Sequence, residues 1–264
     1  MGRRGRAVHG RCPLRADRRP AQRLALAARL LLEYDGTEFA GWARQPGTRT
    51  VQQVLEDALE QVRPEPVALT VAGRTDSGVH ARGQVASHSG APASAGALNG
   101  TLPPDLRVLA SEEVPERFDA RRDAVSRTYR YRVLDSRVAR VFERNRALHW
   151  RYGIDRVVLD ECAAMLPGKH DFTAFTPTQT YHERFERRVF GAEWVDETDD
   201  VIAFWIEADS YMKRMVRTLA GTMLAMAAGR TDAQTFGQLL EGRPRVEAGD
   251  TAGAHGLYLE RVRY

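Results

Sequence analysis

Cysteine is almost missing from this chain: Cys12 and Cys162 are the only two in 264 residues. They form no C-x-x-C pair, which excludes a disulfide framework and a cysteine-ligated zinc cluster. Lysine is nearly as rare, since Lys169 and Lys213 are the only lysines among 39 basic residues. That ratio reads first as a compositional bias towards arginine and alanine, and second as bidentate phosphate recognition. No run of about 18 apolar residues exists, so no membrane-spanning helix is expected. The N-terminus lacks an apolar signal segment, and a cytoplasmic protein is expected. The motifs G-x-S-x-G, H-E-x-x-H and a strand-linked G-x-G-x-x-G are absent. Gly73 and Gly78 have the spacing of a phosphate loop, but Val79 and His80 stand where Lys and Ser or Thr are needed, which argues against a nucleotide triphosphatase or a nucleotide cofactor. The seven histidines are scattered without ligand spacing, so no metal is expected.

What remains is an ordinary globular composition, 43% hydrophobic and 28% charged, in a length that fits one large domain or two small ones. The net charge of +4 is unevenly spread. Residues 1–30 hold nine arginines against Asp17, or +8, which leaves −4 for the rest. Bulk charge therefore does not argue for a nucleic-acid partner, and local patches must. Residues 1–28 have no sustained period and read as a disordered basic tail. After it, Arg29 to Tyr34 reads as a buried strand ending at the turn signal Asp35-Gly36. Thr50 to Gln53 is a capping-box pattern, and Val51, Val54, Leu55, Ala58, Leu59 and Val62 follow at helical spacing.

Further along, Leu69 to Ala72 and Val79 to His88 read as strands flanking a loop, and Asn99 to Pro104 as loop. The pattern restarts between Val114 and Asp119, which puts a boundary between halves 29–117 and 118–264. Arg127 to Val133 reads as a strand with Tyr129 and Tyr131 on one face. Val157 to Leu166 reads as a short helix and Val201 to Ala208 as a strand. Asp209-Ser210 is expected to cap a helix carrying Met212, Met215, Val216, Leu219, Met223 and Met226 on its inner face. Leu257 to Tyr264 closes as a strand. Strands and helices alternate in both halves, the pattern of two α+β units.

Three patches carry the chemistry. In Gly73-Arg74-Thr75-Asp76-Ser77-Gly78 the glycines permit a sharp turn and close approach to another chain. Arg74 and Asp76, two apart, would project to one side, and a guanidinium beside a carboxylate favours the ionised form that a nucleophile or base requires. Taken alone, the same residues make a good surface turn. The second patch sets Arg117, Arg121, Arg122, Arg127, Arg130 and Arg132 among Phe118, Tyr129 and Tyr131. Cations for phosphates with aromatics for bases is the pattern of single-stranded nucleic-acid recognition; its plainer reading is a solvated strand with tyrosines in the core. The third is Lys213, Arg214 and Arg217 in the first turns of a helix, where the dipole disfavours cations unless a polyanion docks there.

Gly73-Arg-Thr-Asp-Ser-Gly-Val-His-Ala81, followed by Gly83-Gln84-Val85, closely resembles the catalytic motif of the tRNA pseudouridine synthases of the TruA type. Glu33-Tyr-Asp-Gly-Thr37, Phe39, Gly41-Trp42 and Thr50-Val-Gln52 resemble that family's opening. Phe118-Asp-Ala-Arg121, Arg127-Thr-Tyr-Arg-Tyr131, His170-Asp-Phe172, Met215-Val-Arg217 with Gly221, and Gly256-Leu-Tyr-Leu259 resemble its later motifs in the same order. The likeness spans about residues 29–264. Ala43 stands where the family usually has Gln, Asp119 where it has His, and Gly253 where it often has Pro.

The resemblance implies an α+β fold: two related halves sharing a continuous, mainly antiparallel sheet with a basic cleft between them. It implies isomerisation of uridine to pseudouridine in the tRNA anticodon stem-loop, at tRNA positions 38, 39 and 40, by a homodimer whose tRNA touches both subunits, without metal or organic cofactor. Asp76 would be the nucleophile, attacking either the uracil ring or the ribose C1′. Tyr129 would pack on the flipped uridine and is a candidate base for the C5 proton, while Arg74 and Arg217 would hold Asp76 or a nearby phosphate. Lys213, Arg214 and Leu257 complete the expected substrate-binding set. The competing class is a noncatalytic RNA-binding protein, against which Asp76 itself argues, because an anion in a cleft for polyanions weakens binding. A phosphotransfer enzyme would need further acidic residues near Asp76 to hold Mg²⁺.

Overall fold

The computed structural model describes residues 26–63, 65–180, 182–198 and 200–264. The first 25 residues of the expected basic tail lie outside this set. Its last three, Leu26, Ala27 and Ala28, belong to a strand, because Ala27 and Ala28 pair with both neighbours of that strand and Leu26 with one. In chain order the elements are β1 (Leu26–Tyr34), α1 (Val51–Val62), β2 (Thr70–Val71), β3 (His80–Ser89), α2 (Ala95–Thr101), β4 (Leu106–Pro115), β5 (Ser126–Asp135), β6 (Leu148–Trp150), α3 (Arg156–Ala164), β7 (Gly168–Asp171), β8 (Glu186–Thr198), β9 (Val201–Ala208), α4 (Met215–Ala227), α5 (Phe236–Leu239) and β10 (Leu257–Arg263), with short 3-10 turns between.

The strands form one sheet in the order β4-β1-β3-β10-β5-β9-β8-β7, with β2 on β3 and β6 on β5. Neighbours along this path are antiparallel except β3 and β10, which run parallel at Tyr258↔His80 and Leu259↔Ala81. The last strand in the chain therefore joins the strands of the first half to those of the second. The boundary read at 117/118 falls in the connection between β4 and β5.

Strand periodicity sorts the side chains. Tyr129, Tyr131 and Val133 of β5, Leu257 and Leu259 of β10, and Phe204 and Ile206 of β9 enter the core. There they share a cluster with α4, which buries ten of its thirteen residues and so is a core helix apolar on nearly every side. Alternate residues face the other way. Arg130 pairs with Glu197 and Glu260, and Arg132 with Glu197 and Glu143.

Two elements differ from the sequence reading. Residues 99–101, read as loop, finish α2. Asn99 is held there by a two-way amide bond to the backbone of Val108 on β4, while Ser94 makes no side-chain cap bond that would signal the helix start. At α4 the helix begins at Met215 and not at residues 209–210. Asp209 instead accepts from the Arg188 amide and the Ser210 hydroxyl, and Arg214 takes a left-handed φ of 62° at the N-cap. Met212 is buried in phase with the helical stripe, which is what extends the apparent period.

Candidate active site

The segment 73–78 bridges β2 and β3 and is gripped by the chain's opening motif. The Trp42 amide donates to the Thr75 carbonyl at 3.0 Å, the Gly78 amide to the Phe39 carbonyl at 3.3 Å, and the Val79 amide to the Asp76 carbonyl at 3.2 Å. Two glycines are obligatory for this contact. A Cβ on Gly36 would lie 2.0 Å from the Val79 carbonyl oxygen, and one on Gly41, whose φ is +92°, would lie 2.8 Å from that of Thr75. Beneath the loop, the buried Tyr34 hydroxyl is 2.8 Å from Thr75 Oγ1, and Gln84 donates to the Tyr34 hydroxyl and to the Gly73 carbonyl. Burial pushes the Tyr34 phenol up to about 12, so it serves this network as a neutral hydroxyl.

The loop opens into a cleft of about 730 Å³ whose walls come from both halves of the chain. Asp76 stands in it, its side chain 31% exposed. Its Oδ2 accepts from Arg217 Nη1 at 2.9 Å, and Arg217 Nε donates to the Ala252 carbonyl at 2.8 Å. The guanidinium is thus held at two points and aims the carboxylate. Tyr129 forms part of the cleft floor, 8% exposed, and meets Tyr211 edge to face at 4.9 Å. Burial drives its phenol well above the ordinary range, an effect that Tyr34 and Asp76 reinforce and Arg127 opposes. A phenol kept neutral in this way can pack against a base or donate a hydrogen bond but is a poor proton acceptor. Leu257, 7% exposed, adds an apolar wall.

A loop carboxylate aimed by an arginine occurs in many enzymes, so geometry alone does not name this one. The family model described as tRNA pseudouridine synthase matches residues 30–123 and 162–264. The chain belongs to the tRNA pseudouridine synthase family. It is 41% identical to tRNA pseudouridine synthase A of Bacillus pumilus over 241 residues, 88% of this chain and 97% of that protein. It is 43% identical to the protein of the same name from Frankia casuarinae over 244 residues, 89% of this chain and 88% of that one. A third, from Myxococcus xanthus, is 38% identical and covers 89% of this chain and 91% of its own length.

In this synthase, Asp76, Arg74, Tyr129, Arg217, Lys213, Arg214 and Leu257 all line the one cleft. Their contacts meet the sequence expectation for Arg217 and depart from it where the sequence has Arg74 and Asp76 projecting together. Among the described residues Asp76 has its ion pair with Arg217, while Arg74 is exposed on the rim. The turn carries the two side chains apart where an extended approach would have put them together. Lys213 and Arg214 are also exposed and precede the first turn of the helix, with Arg214 as its N-cap. The arginine-tyrosine patch is divided by its strand. Arg121 reaches the cleft, Arg130 and Arg132 are neutralised by glutamates on the other sheet face, and Tyr131 is fully buried with its hydroxyl on the Gly253 carbonyl. Asp119, the family departure, accepts from the Arg121 and Arg122 amides.

Sequence reasoning quotes Tyr34 and Gln84 within motifs without giving either a role, and passes over Tyr211, which no charge or spacing distinguishes from core residues. It also passes over His80, which stands within the quoted motif. Its buried Nδ1 lies 3.0 Å from the Gly36 amide and 3.2 Å from Asp35 Oδ1, and its Nε2 faces the carbonyls of Asn145 and His255, to which a proton on Nε2 would donate. Burial holds this imidazole below its ordinary 6.5, with Asp35 opposing. Because the folded value is depressed, the unfolded chain binds the proton more readily, so stability falls as pH drops from 6.5 towards the folded value. His88, His182 and His255 are shifted the same way. Thermal midpoints at about pH 7.5 and about pH 5.5 should fall on acidification, and by less in His80→Gln. An equal fall in both proteins would remove His80 as a contributor.

Proposed function

We propose that this tRNA pseudouridine synthase isomerises uridine in the tRNA anticodon stem-loop, at positions 38, 39 and 40, with Asp76 as nucleophile, as a cytoplasmic homodimer. The observation that carries the reading is the Asp76 carboxylate pinned by Arg217 inside a cleft rimmed by Arg74, Arg121, Lys213 and Arg214. A cleft meant only to hold a polyanion loses affinity by presenting a carboxylate, so its presence there is accounted for by chemistry.

The target uridine leaves the stack and enters the cleft, where Tyr129 packs against the base. Asp76 attacks the uracil ring or the ribose C1′, and the N1–C1′ bond breaks. The base turns, C5 bonds to C1′, and the bond to Asp76 is released. N1 gains a proton and C5 loses one, which balances the isomerisation. The neutral Tyr129 phenol fits packing better than taking the C5 proton. The rim cations hold phosphates, a contribution that weakens with salt.

The test incubates purified protein with unmodified tRNA transcripts and maps pseudouridine by position, with light scattering on the same sample. Pseudouridine at the three positions and a mass of two chains are expected. Product elsewhere on the tRNA would overturn the assigned region, and a monomer would overturn the dimer.

A further inference from the structure

Arg127 reads from the sequence as one more cation for phosphates, yet it is 9% exposed. All five of its N–H donors end on backbone carbonyls. Nε and Nη2 reach Ala72 O at 3.2 and 2.9 Å, Nη2 also reaches Arg121 O at 2.8 Å, and Nη1 reaches Ala124 O at 3.1 Å and Asp209 O at 2.7 Å. Among the described residues no carboxylate forms an ion pair with it. A buried guanidinium without a carboxylate is costly unless every donor is satisfied, and here carbonyl dipoles from three separate segments do this.

The identity of those segments matters. Ala72 directly precedes Gly73 at the start of the Asp76 loop. Arg121 lines the cleft, and Asp209 leads into residues 210–217, which form its opposite wall. The main chain of Arg127 takes part as well, its carbonyl sharing the Tyr211 hydroxyl, at 3.2 Å, with the Ile206 carbonyl at 3.0 Å, while the Tyr211 ring braces Tyr129. We propose that Arg127 is a positioning residue for catalysis: its planar fork sets the distance between the Asp76 loop and the wall carrying Arg217, and through Tyr211 steadies Tyr129. The proposal rests on the reading of Asp76 as nucleophile. A lysine keeps the charge, but its three donors radiate from one nitrogen and cannot span three segments.

The experiment compares wild type, Asp76→Asn, Arg127→Lys and Arg130→Lys for single-turnover pseudouridine formation at saturating tRNA, tRNA Kd, and amide hydrogen exchange. Misplacing reacting groups by about 1 Å costs on the order of 100-fold. Arg127→Lys should therefore lose about 10- to 100-fold in rate while its Kd stays within about threefold, and amides of residues 73–78 should exchange faster than in wild type. Arg130→Lys, altered on the opposite sheet face, should keep its rate. A folded Arg127→Lys with a rate within about twofold of wild type overturns the proposal, as does equal worsening of rate and Kd. If the lysine variant does not fold, Arg127→Gln replaces it, and failure of both to fold makes the residue a requirement of the fold and ends the positioning role. An inactive wild type, or an active Asp76→Asn, refutes the underlying reading instead.

Discussion

Asp76→Asn is expected to lose turnover by roughly 10⁴-fold or more in a protein that still folds and binds tRNA. The introduced amide has the carboxylate's shape, so its oxygen still accepts from Arg217, but it is no nucleophile. Folding should tolerate the change because the side chain is 31% exposed and Arg217 keeps its bond to the Ala252 carbonyl. Affinity for tRNA should hold or tighten, since on the proposed reading a negative charge leaves a cleft for phosphates. The measurement is single-turnover pseudouridine formation by a preparation verified by mass to be free of deamidated protein. Product at a substantial fraction of the wild-type rate would end the nucleophile assignment.

Arg217→Ala should cost the next largest factor, about 10²- to 10³-fold in kcat, with a smaller change in KM. The guanidinium is the ion-pair partner of Asp76, and its second anchor at Ala252 fixes the orientation of the carboxylate in the cleft. Without it the carboxylate samples other rotamers in a partly solvated site, so the loss falls on reaction geometry more than on binding. Loss of a partly exposed pair lowers stability by only about 1 kcal/mol, so the variant should fold. Arg217→Lys should recover part of the rate at most, since one ammonium cannot copy the two-point hold. Unchanged kcat/KM in Arg217→Ala would remove the residue from the reaction and leave its pair with Asp76 as a structural contact.

How much of this can be read from the chain depends on sequence distance. Thr50 caps α1 through its hydroxyl, accepting from the Gln53 amide, because capping is settled within four residues. The cleft-lining set is legible from ordered motifs. The partner of Asp76 is legible only as a choice of two: the ordered motifs offer Arg74 and Arg217 alike, and only the fold selects Arg217, 141 residues away, over the neighbouring Arg74 of the same charge. The arginines of β5 illustrate the same limit: Arg127 and Arg130 look alike in a basic run, and only strand alternation and the glutamates brought up by β8 and β10 separate a buried carbonyl clamp from an ion-paired surface. The strands β4 and β8 escape notice since their burial is irregular, with charged residues breaking the alternation that announces a strand.

The place of β10 bears on how the protein is made. Residues 257–263 leave the ribosome after every other element of the described structure, yet they form the seam between β3 and β5. A nascent chain that has not yet supplied them holds two partial sheets, each with an open hydrogen-bonding edge of the kind that invites aggregation. Chains cut short before Leu257 would therefore keep the other described strands as two partial sheets with adhesive edges. Such chains should be prominent clients of chaperones and proteases, so that loss of this one strand would show as missing protein rather than as a slower enzyme.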